Sequence, residues 1–170
     1  MNQNNLIIRE VIFDDLQKYR KLRLEALKMN PEAFGRDYET DKKLPLSFWE
    51  NNLRTDLIGT IFIAESENCL IGMSGIRCSD SLKMSYNSGI WGVYVSADYR
   101  REKIGEKLIN ACINWAKQKK LLTVKLAVTN INASATCLYL KYNFQIYGVD
   151  PKVIKANNIF YDELLMVRSL

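Results

Sequence analysis

The sequence predicts a mixed α/β fold class, in which one sheet carries helices on both faces. Three observations lead to this class. Alternating and β-branched apolar runs lie near both ends of the chain, amphipathic helical periods lie between them, and one buried strand leads through a basic loop into a helix. The 170 residues are enough for one domain, residues 1–170, with a full core.

The first half of the chain is predicted to hold a strand, two helices and a hairpin. Residues 6–12 are a strand, and Asp14 or Asp15 caps a helix that extends to the region of Pro31. A loop follows over residues 31–44, and Pro45 begins a short second helix. Residues 59–65 and 69–78 alternate around a polar turn, as a hairpin does. The buried stripe of the first helix is predicted to be Leu16, Tyr19, Leu22, Arg23, Ala26 and Leu27.

The second half alternates strands with helices. Residues 86–95 are a strand that Gly89 and Gly92 interrupt, and glycines inside a strand mark a bulge or a close approach. A long helix then extends to about Gln118. The elements predicted after it are a strand at 122–128, a helix at 132–142, a strand at 144–147, a loop at 148–158 and a closing strand at 159–168.

The loop before the long helix carries three cationic side chains, Arg100, Arg101 and Lys103. A loop that starts a helix also presents unpaired backbone N–H groups and the positive end of the helix dipole. This combination suits an anion, above all a phosphate or pyrophosphate. A solvated basic turn is the alternative interpretation. The helix after it buries one face, formed by Ile104, Leu108, Ala111, Cys112 and Trp115.

Two segments together resemble the GNAT family of acyl-CoA-dependent N-acetyltransferases. The first is Arg100-x-x-Lys103-x-Gly105, which stands where the family has Arg/Gln-x-x-Gly-x-Gly/Ala after a strand. The second matches Asn-x-x-Ala-x-x-(Leu/Phe)-Tyr followed by Gly-Phe, with Asn132, Ala135, Leu138, Tyr139 and Phe144 at the matching positions. Residues 22–27, 31–35 and 161–166 also look like family segments, so the resemblance covers nearly the whole chain.

The resemblance implies the GNAT acyl-CoA N-acyltransferase fold, with a mostly antiparallel twisted sheet, and acetyl-CoA as cosubstrate. In the family, a bulged strand pairs with the pantetheine arm and the basic loop holds the pyrophosphate. Asn132 would hydrogen-bond the arm or the backbone beside it. The cofactor-binding residues implied in this way are Val93, Tyr94, Val95, Arg100, Arg101, Lys103, Ile104, Gly105, Glu106, Asn132 and Ala135.

Two positions depart from the family pattern. Lys103 replaces the first motif glycine, which allows the backbone to approach the pyrophosphate closely. A lysine at this position can still adopt helical dihedrals, and its ammonium group can contact the phosphate directly, but close approach of the main chain is less favoured than with glycine. Asn143 replaces the glycine before Phe144, where a left-handed residue is expected at a helix end, and asparagine suits that position.

Acetyl transfer to an amine requires polarisation of the thioester, a deprotonated amine and a proton donor for the departing thiolate. By resemblance, Tyr139 is the candidate donor, although its place on an apolar stripe also fits plain packing. The general base stays open among Glu65, Asp80, Tyr86, Tyr94 and a water chain. Phe34, Tyr86 and Trp91 are candidate walls of the acceptor pocket.

Composition excludes several classes of protein. The chain has no histidine, which excludes Ser-His-Asp and Cys-His nucleophilic systems and any metal site that needs histidine. Its four cysteines show no C-x-x-C spacing, so we expect neither metal nor a redox pair. The net charge of +5 is spread along the chain without interleaved aromatic residues, so we expect no nucleic-acid partner. No apolar run is long enough to span a membrane, and we expect a cytoplasmic protein without a membrane partner.

The function predicted by resemblance is N-acetylation of a primary amine by direct attack on acetyl-CoA. The acceptor is a small molecule or a peptide, and the sequence does not choose between them. A homodimer is left open. Two alternatives remain at this point: a catalytically silent domain that senses acyl-CoA, and a basic nucleic-acid binder.

Overall fold

A computed structural model describes residues 6–53 and 58–170. The strands are β1 (Ile7–Glu10), β2 (Gly59–Ser66), β3 (Cys69–Cys78), β4 (Asn87–Val95), β5 (Thr123–Thr129), β6 (Gln145–Ala156) and β7 (Ile159–Ser169). They form one seven-stranded sheet in the order β1-β2-β3-β4-β5-β7-β6. All neighbouring strands are antiparallel except β4 and β5, which run parallel. The predicted mixed α/β class, with a mostly antiparallel sheet, is confirmed.

Helices cover both faces of this sheet. They are α1 (Leu16–Met29), α2 (Tyr38–Asp41), α3 (Leu46–Leu53), α4 (Ile104–Gln118) and α5 (Ala133–Lys141). On one face α1 packs Leu22 and Leu27 into a core with Ile63 of β2. On the other, α4 packs Ile109 into a second core with Val124 of β5. No helix among the described residues is long and apolar enough to cross a membrane.

The predicted stripe of α1 is buried throughout, and it includes one charged residue, Arg23. The prediction that the Asp15 side chain caps this helix is wrong, because it accepts no hydrogen bond from the first turn of α1. Asp15 precedes α1, but its carboxylate accepts two hydrogen bonds from Arg9, at 2.6 and 2.8 Å, and one from the Ile12 N–H at 2.9 Å. A nearby guanidinium is a stronger partner for a carboxylate than a helix N–H, so Asp15 ties β1 to the start of α1.

The loop expected over residues 31–44 contains helical turns. Pro31–Ala33 forms a 3₁₀ turn, and the one-turn helix α2 follows at Tyr38–Asp41. Asp37 caps α2 by accepting a hydrogen bond from the Thr40 N–H at 2.9 Å. Asp at an N-cap is a sequence signal that the prediction did not use.

The loop expected over residues 148–158 is wrong, because β6 is a strand of 12 residues through that segment. β6 pairs only with β7 and so lies at the edge of the sheet, where Pro151 costs no ladder hydrogen bond. The register shifts between Asp150 and Ile154, around the proline. Asn157 and Asn158, with φ of 50° and 61°, then turn the chain into β7.

Candidate functional site

A gap opens in the middle of the sheet between β4 and β5. Their ladder joins only residues 87–89 to residues 123–125. Beyond Gly89 the two strands line a cavity of about 110 Å³, here called the notch. The backbone of β4 from Gly92 to Val95 therefore has no partner strand on its β5 side, which is the condition for an extended ligand to pair there.

Gly92 places a bulge at this gap. Its φ of +65° is a left-handed conformation, and the register between β3 and β4 shifts nearby, between Met73 and Gly75. The bulge expected in this strand is present at Gly92, whereas Gly89 pairs regularly with Arg77 and Lys125. Positive φ is the conformation that glycine adopts without steric cost, so this position depends on its residue type.

A larger cavity, here called the cleft, adjoins the notch at the start of α4. Its volume is about 790 Å³, within the range of small-molecule sites. The first hydrogen bond along α4 runs from the Lys107 N–H to the Lys103 carbonyl at 3.1 Å. The N–H groups of Ile104, Gly105 and Glu106 are thus outside the helical ladder, beside the positive end of the helix dipole.

The loop before α4 leads into the helix through residues with left-handed backbone conformations. Arg101 has φ of 67°, and Lys103 has φ of 60° and ψ of 17°. Lys103 therefore does not adopt the helical dihedrals that are open to a lysine at this position. The backbone here is left-handed, a conformation that the lysine adopts at a cost of about 1–2 kcal/mol. Asn143, at φ of 60°, is left-handed as predicted.

The three cationic side chains of the cleft differ in whether they already form hydrogen bonds within the protein. The side chains of Arg101 and Lys103 are exposed and have no ion pair or side-chain hydrogen bond to the described residues. Arg100 folds back, donating to the Val95 carbonyl at 3.1 Å and to Asn30 Oδ1 at 3.2 Å. Two uncommitted cations beside free helix N–H groups fit a polyphosphate anion.

Helix α5 forms the wall opposite β4. Asn132 caps it, since its Oδ1 accepts a hydrogen bond from the Ala135 N–H at 3.1 Å. The amide oxygen is therefore occupied within the protein, and the amide N–H₂ group is what remains for a ligand. Gly105 allows α4 to approach α5 closely, because a Cβ at that position would lie 3.3 Å from Leu138.

Tyr139 lies on α5 and borders the notch. Only 5% of the residue is exposed, and its ring packs edge-on against Phe144 with centroids 6.0 Å apart. Burial raises the pKa of the phenol well above its ordinary value of 10.0, with a smaller contribution from Cys112. The hydroxyl is therefore a protonated hydrogen-bond donor at any physiological pH.

The structure brings most of the predicted site residues together. Those that line the cleft or the notch are Phe34, Trp91, Val93, Tyr94, Val95, Arg100, Arg101, Lys103, Ile104, Gly105, Glu106, Asn132, Ala135 and Tyr139. Tyr86 is not brought there. It is 58% exposed, precedes β4 at the closed end of the β4–β5 pair and lines none of these cavities.

The candidate bases are dispersed. Glu65 pairs with Arg9 at 2.7 Å, and Asp80 lies on the exposed loop before β4. Tyr94 borders the cleft, but its hydroxyl donates to Glu25 at 2.9 Å, and burial together with this carboxylate raises its pKa to about 12. A phenol with a raised pKa is a poor base near neutral pH.

Sequence reasoning missed three residues near the gap. Glu25 accepts hydrogen bonds from Tyr94 and from Ser96 Oγ, at 2.9 and 2.8 Å, and thereby ties α1 to the end of β4. Asn30 positions Arg100. Arg23 is buried close to Gly92. A charged residue on an apolar helix stripe was the available signal for Arg23, since unpaired charges are rarely buried.

A third cavity, here called the side cavity, has a volume of about 520 Å³. It lies between the segment joining α1 to α2 and the far end of β6, with Lys28, Arg36 and Lys155 among its lining residues. Phe34 borders the side cavity, the notch and the cleft, and so stands where all three meet. Among the described residues no group of three or more potential metal ligands occurs.

The family model of the acetyltransferase (GNAT) family matches residues 20–144. The matched range begins in α1, includes the gap and the basic loop, and ends just after α5. It therefore contains every residue that lines the cleft.

Individual relatives agree with this match. Streptothricin acetyltransferase A from Bacillus subtilis (strain 168) is 36% identical over 89 residues, which cover 52% of this chain and 49% of that protein. The chain thus spans about half the length of this curated relative. An N-acetyltransferase from Staphylococcus aureus Mu50 has a TM-score of 0.84 at 19% identity, covering 97% of this chain and 98% of that chain. The Salmonella typhimurium protein yncA, solved with its cofactor acetyl-CoA, has a TM-score of 0.79 at 19% identity, covering 98% and 94%. The two solved structures show a shared fold.

Proposed function

Because the chain belongs to the acetyltransferase (GNAT) family, whose members use acetyl-CoA, we propose that it transfers an acetyl group from acetyl-CoA to a primary amine by direct attack. We also propose that residues 1–170 act as one domain. The observation that supports the reaction is the continuity of the site. A basic helix start, an unpaired strand edge and a buried phenol follow one another along the cleft and the notch.

The residues of the cleft fit coenzyme A as a polyanion. The N–H groups at the start of α4 and the free side chains of Arg101 and Lys103 would hold its pyrophosphate. The open edge of Val93 and Val95 would hold its arm. Arg100 now donates to the Val95 carbonyl, so it would release that carbonyl to join the phosphate contacts.

Acetyl-CoA supplies an acetyl thioester that a neutral amine can attack without a covalent enzyme intermediate. Backbone N–H groups of the bulge at Gly92 would polarise the carbonyl oxygen. Tyr139, held protonated by burial, would donate a hydrogen bond to the sulfur that leaves. Phe34 and Trp91 would keep bulk water out of the notch and border the path of the acceptor.

The first experiment measures binding and turnover separately. Acetyl-CoA at a hundredfold excess over its dissociation constant adds about 2.7 kcal/mol to the unfolding free energy, which for a chain of this size raises the melting temperature by about 5–10 °C. Release of free thiol with a panel of primary amines then demonstrates transfer. A shift without thiol release from any amine would favour the silent sensor, and no shift would contradict the proposed cosubstrate.

A double variant, Arg100→Ala with Arg101→Ala, tests the assignment of the phosphate site. We expect acetyl-CoA affinity to fall at least about tenfold, because two cations are removed from a charge-assisted site. The matched control replaces Lys21 and Lys117, which are exposed on α1 and α4, and removes the same charge. Equal loss in both double variants would reduce the effect to net charge, and unchanged affinity would contradict the assignment.

A further inference from the structure

The guanidinium of Arg23 is buried, and its Nη1 has no hydrogen-bond partner among the described residues. Arg23 is 9% exposed, its Nη1 is shielded from solvent, and no hydrogen bond or ion pair to the described residues satisfies it. Burial lowers the pKa of this side chain from its ordinary value. Since arginine stays protonated in proteins, the site contains a buried charge that has no hydrogen-bonded counter-ion among the described residues, and such a charge is costly.

The described side chains around Arg23 include no carboxylate that accepts a hydrogen bond from it. The Phe34 ring stacks on the guanidinium, with its centroid 4.7 Å from Cζ. The charge of the Asp41 carboxylate acts on Arg23, but both of its oxygens accept hydrogen bonds from Arg36 at 2.9 Å. Tyr19 adds a buried neutral phenol. The compensating charge must therefore come from outside these groups.

Arg23 adjoins the reaction site from the α1 side. A Cβ built on Gly92 would stand 3.1 Å from Nη1, so the guanidinium lies directly against the bulge. Gly92 and Phe34 both line the notch, and Phe34 also lines the side cavity. A ligand that entered from the side cavity and displaced the Phe34 ring would place its own group against Nη1.

The side cavity itself carries uncompensated positive charge. Lys28 and Lys155 line it, and neither has a carboxylate partner among the described residues; they rest over the rings of Tyr38 and Phe160 instead. Of its two acidic side chains, Glu39 pairs with Lys42, whereas Asp37 accepts hydrogen bonds from Thr40 and keeps its negative charge. The charged side chains that line the side cavity therefore leave a small positive excess, which favours the entry of an anionic group.

We propose that Arg23 anchors a carboxylate of the acceptor, so that the substrate is an amine that also carries a carboxylate group. This inference rests on the proposed acetyl transfer and adds the substrate class to it. The Phe34 ring covers the guanidinium in the free protein and moves aside as the carboxylate arrives. The anchor then directs the amine toward the bulge at Gly92, where the acetyl group is proposed to lie.

Matched pairs of acceptors test this proposal. Free amino acids are compared with their amides, which keep the amine and the side chain but lack the carboxylate. The protein should release thiol with at least about tenfold higher kcat/KM for the acids, through a lower KM, because a charge-assisted bidentate contact is lost in the amides. Equal kcat/KM for acids and amides, or a preference for the amides, would overturn the anchor and leave the acetyltransferase assignment intact.

The variant Arg23→Met keeps the length of the side chain and removes its charge. We expect it to lose the preference for acids over amides, through a higher KM for the acids, and to retain acetyl-CoA affinity. Its melting temperature should be unchanged or higher, because an unpaired buried charge is gone. Lys21→Met, on the exposed side of the same helix, is the control. If Arg23→Met lowers acids and amides equally and melts lower, Arg23 is structural and the proposal is wrong.

A binding measurement covers the case in which no amine of the panel is acetylated, a result that would count against the proposed function. Millimolar amino acids should then raise the melting temperature of the acetyl-CoA-loaded protein but not that of loaded Arg23→Met. Amides should raise neither. The absence of a shift with the acids would overturn the anchor independently of catalysis.

Discussion

Tyr139 illustrates how position on a helix sets the chemistry of a side chain. The residue belongs to the apolar stripe of α5, so its ring is buried against Phe144. The same burial keeps the phenol protonated and places it at the notch. Packing in the core is therefore compatible with the hydrogen-bond donation proposed for this tyrosine.

Replacing Tyr139 with phenylalanine separates these functions. We expect Tyr139→Phe to lower kcat about a hundredfold, in the range of general-acid contributions, while acetyl-CoA affinity changes less than about twofold. The deficit should persist from pH 6 to 9, because the wild-type phenol does not ionise there. Tyr142→Phe, half-buried one turn further along, is the control. Unchanged turnover at every pH would make Tyr139 a packing residue alone.

Sequence patterns indicated which residues line the cleft, but they did not predict the conformations of those residues. The two motifs located the cations before α4 and Asn132 at the start of α5, but they did not indicate that Asn132 caps that helix. They could not show that Lys103 is left-handed, because a lysine carries no conformational signal of the kind that glycine or asparagine does. They also could not show that Arg100 binds Asn30, since the two residues are 70 positions apart in sequence.

At the scale of elements, β3 and β4 approach each other through a glycine. Gly75 pairs with Trp91, and a Cβ on Gly75 would lie 2.2 Å from the indole atom Cε2. Trp91 therefore lies flat over β3 only because position 75 has no side chain. The indole is 39% exposed and lines the notch, so this packing shapes the site as well as the sheet.

The variant Gly75→Ala forces the indole to move. We expect it to lower the unfolding free energy by about 1–3 kcal/mol and the melting temperature by about 3–10 °C, as overpacking does. The tryptophan fluorescence should change because the indole shifts. Gly89→Ala is the matched control on β4, where a Cβ meets nothing within 4 Å. Equal melting temperatures for the two variants would contradict this account.

Element boundaries were predictable wherever the pattern was local. The hairpin of β2 and β3, the end of α4 and the closing strand all follow from periodicity and turn residues. The extent of β6 was not predictable from the sequence, because Gly148, Pro151 and two asparagines indicate a loop. Only its position at the sheet edge makes a proline tolerable there, and edge position is a property of the assembled sheet.

At the scale of the whole molecule, burial in the core keeps the side chains of Tyr19 and Cys112 protonated. Burial raises the pKa of Tyr19 to about 12 and that of the Cys112 thiol to about 12. In the unfolded chain these groups ionise near pH 10 and 9 respectively. Below those values both states keep the protons and stability is complete. Above them the unfolded chain releases protons first, so stability is lost as pH rises toward 12.

Denaturant unfolding between pH 7 and 11.5 checks this expectation. The unfolding free energy should be nearly constant up to about pH 9 and then fall, each buried group contributing about 1.4 kcal/mol per pH unit. Tyr19→Phe should remove one contribution from the slope above pH 10 and leave the plateau below it. A slope that the variant shares with the wild type would show that Tyr19 is not protected in the folded state.

The gap between β4 and β5 could be expected only by resemblance to a family, because no local pattern states where two parallel strands stop pairing. The meeting of the side cavity, the notch and the cleft at Phe34 likewise depends on tertiary packing. It requires the turn after α1, the bulge of β4 and the end of β6 to meet, and the sequence offered Phe34 only as a candidate wall.

The short ladder between β4 and β5 has a mechanical consequence. The strands β1–β4 form one panel and β5–β7 another, and three residues of each central strand form the hydrogen-bonded seam between them. A ligand bound beyond the end of this ladder contacts both β4 and β5 and so links the two panels. A ligand bound there would therefore also hold the two halves of the sheet together.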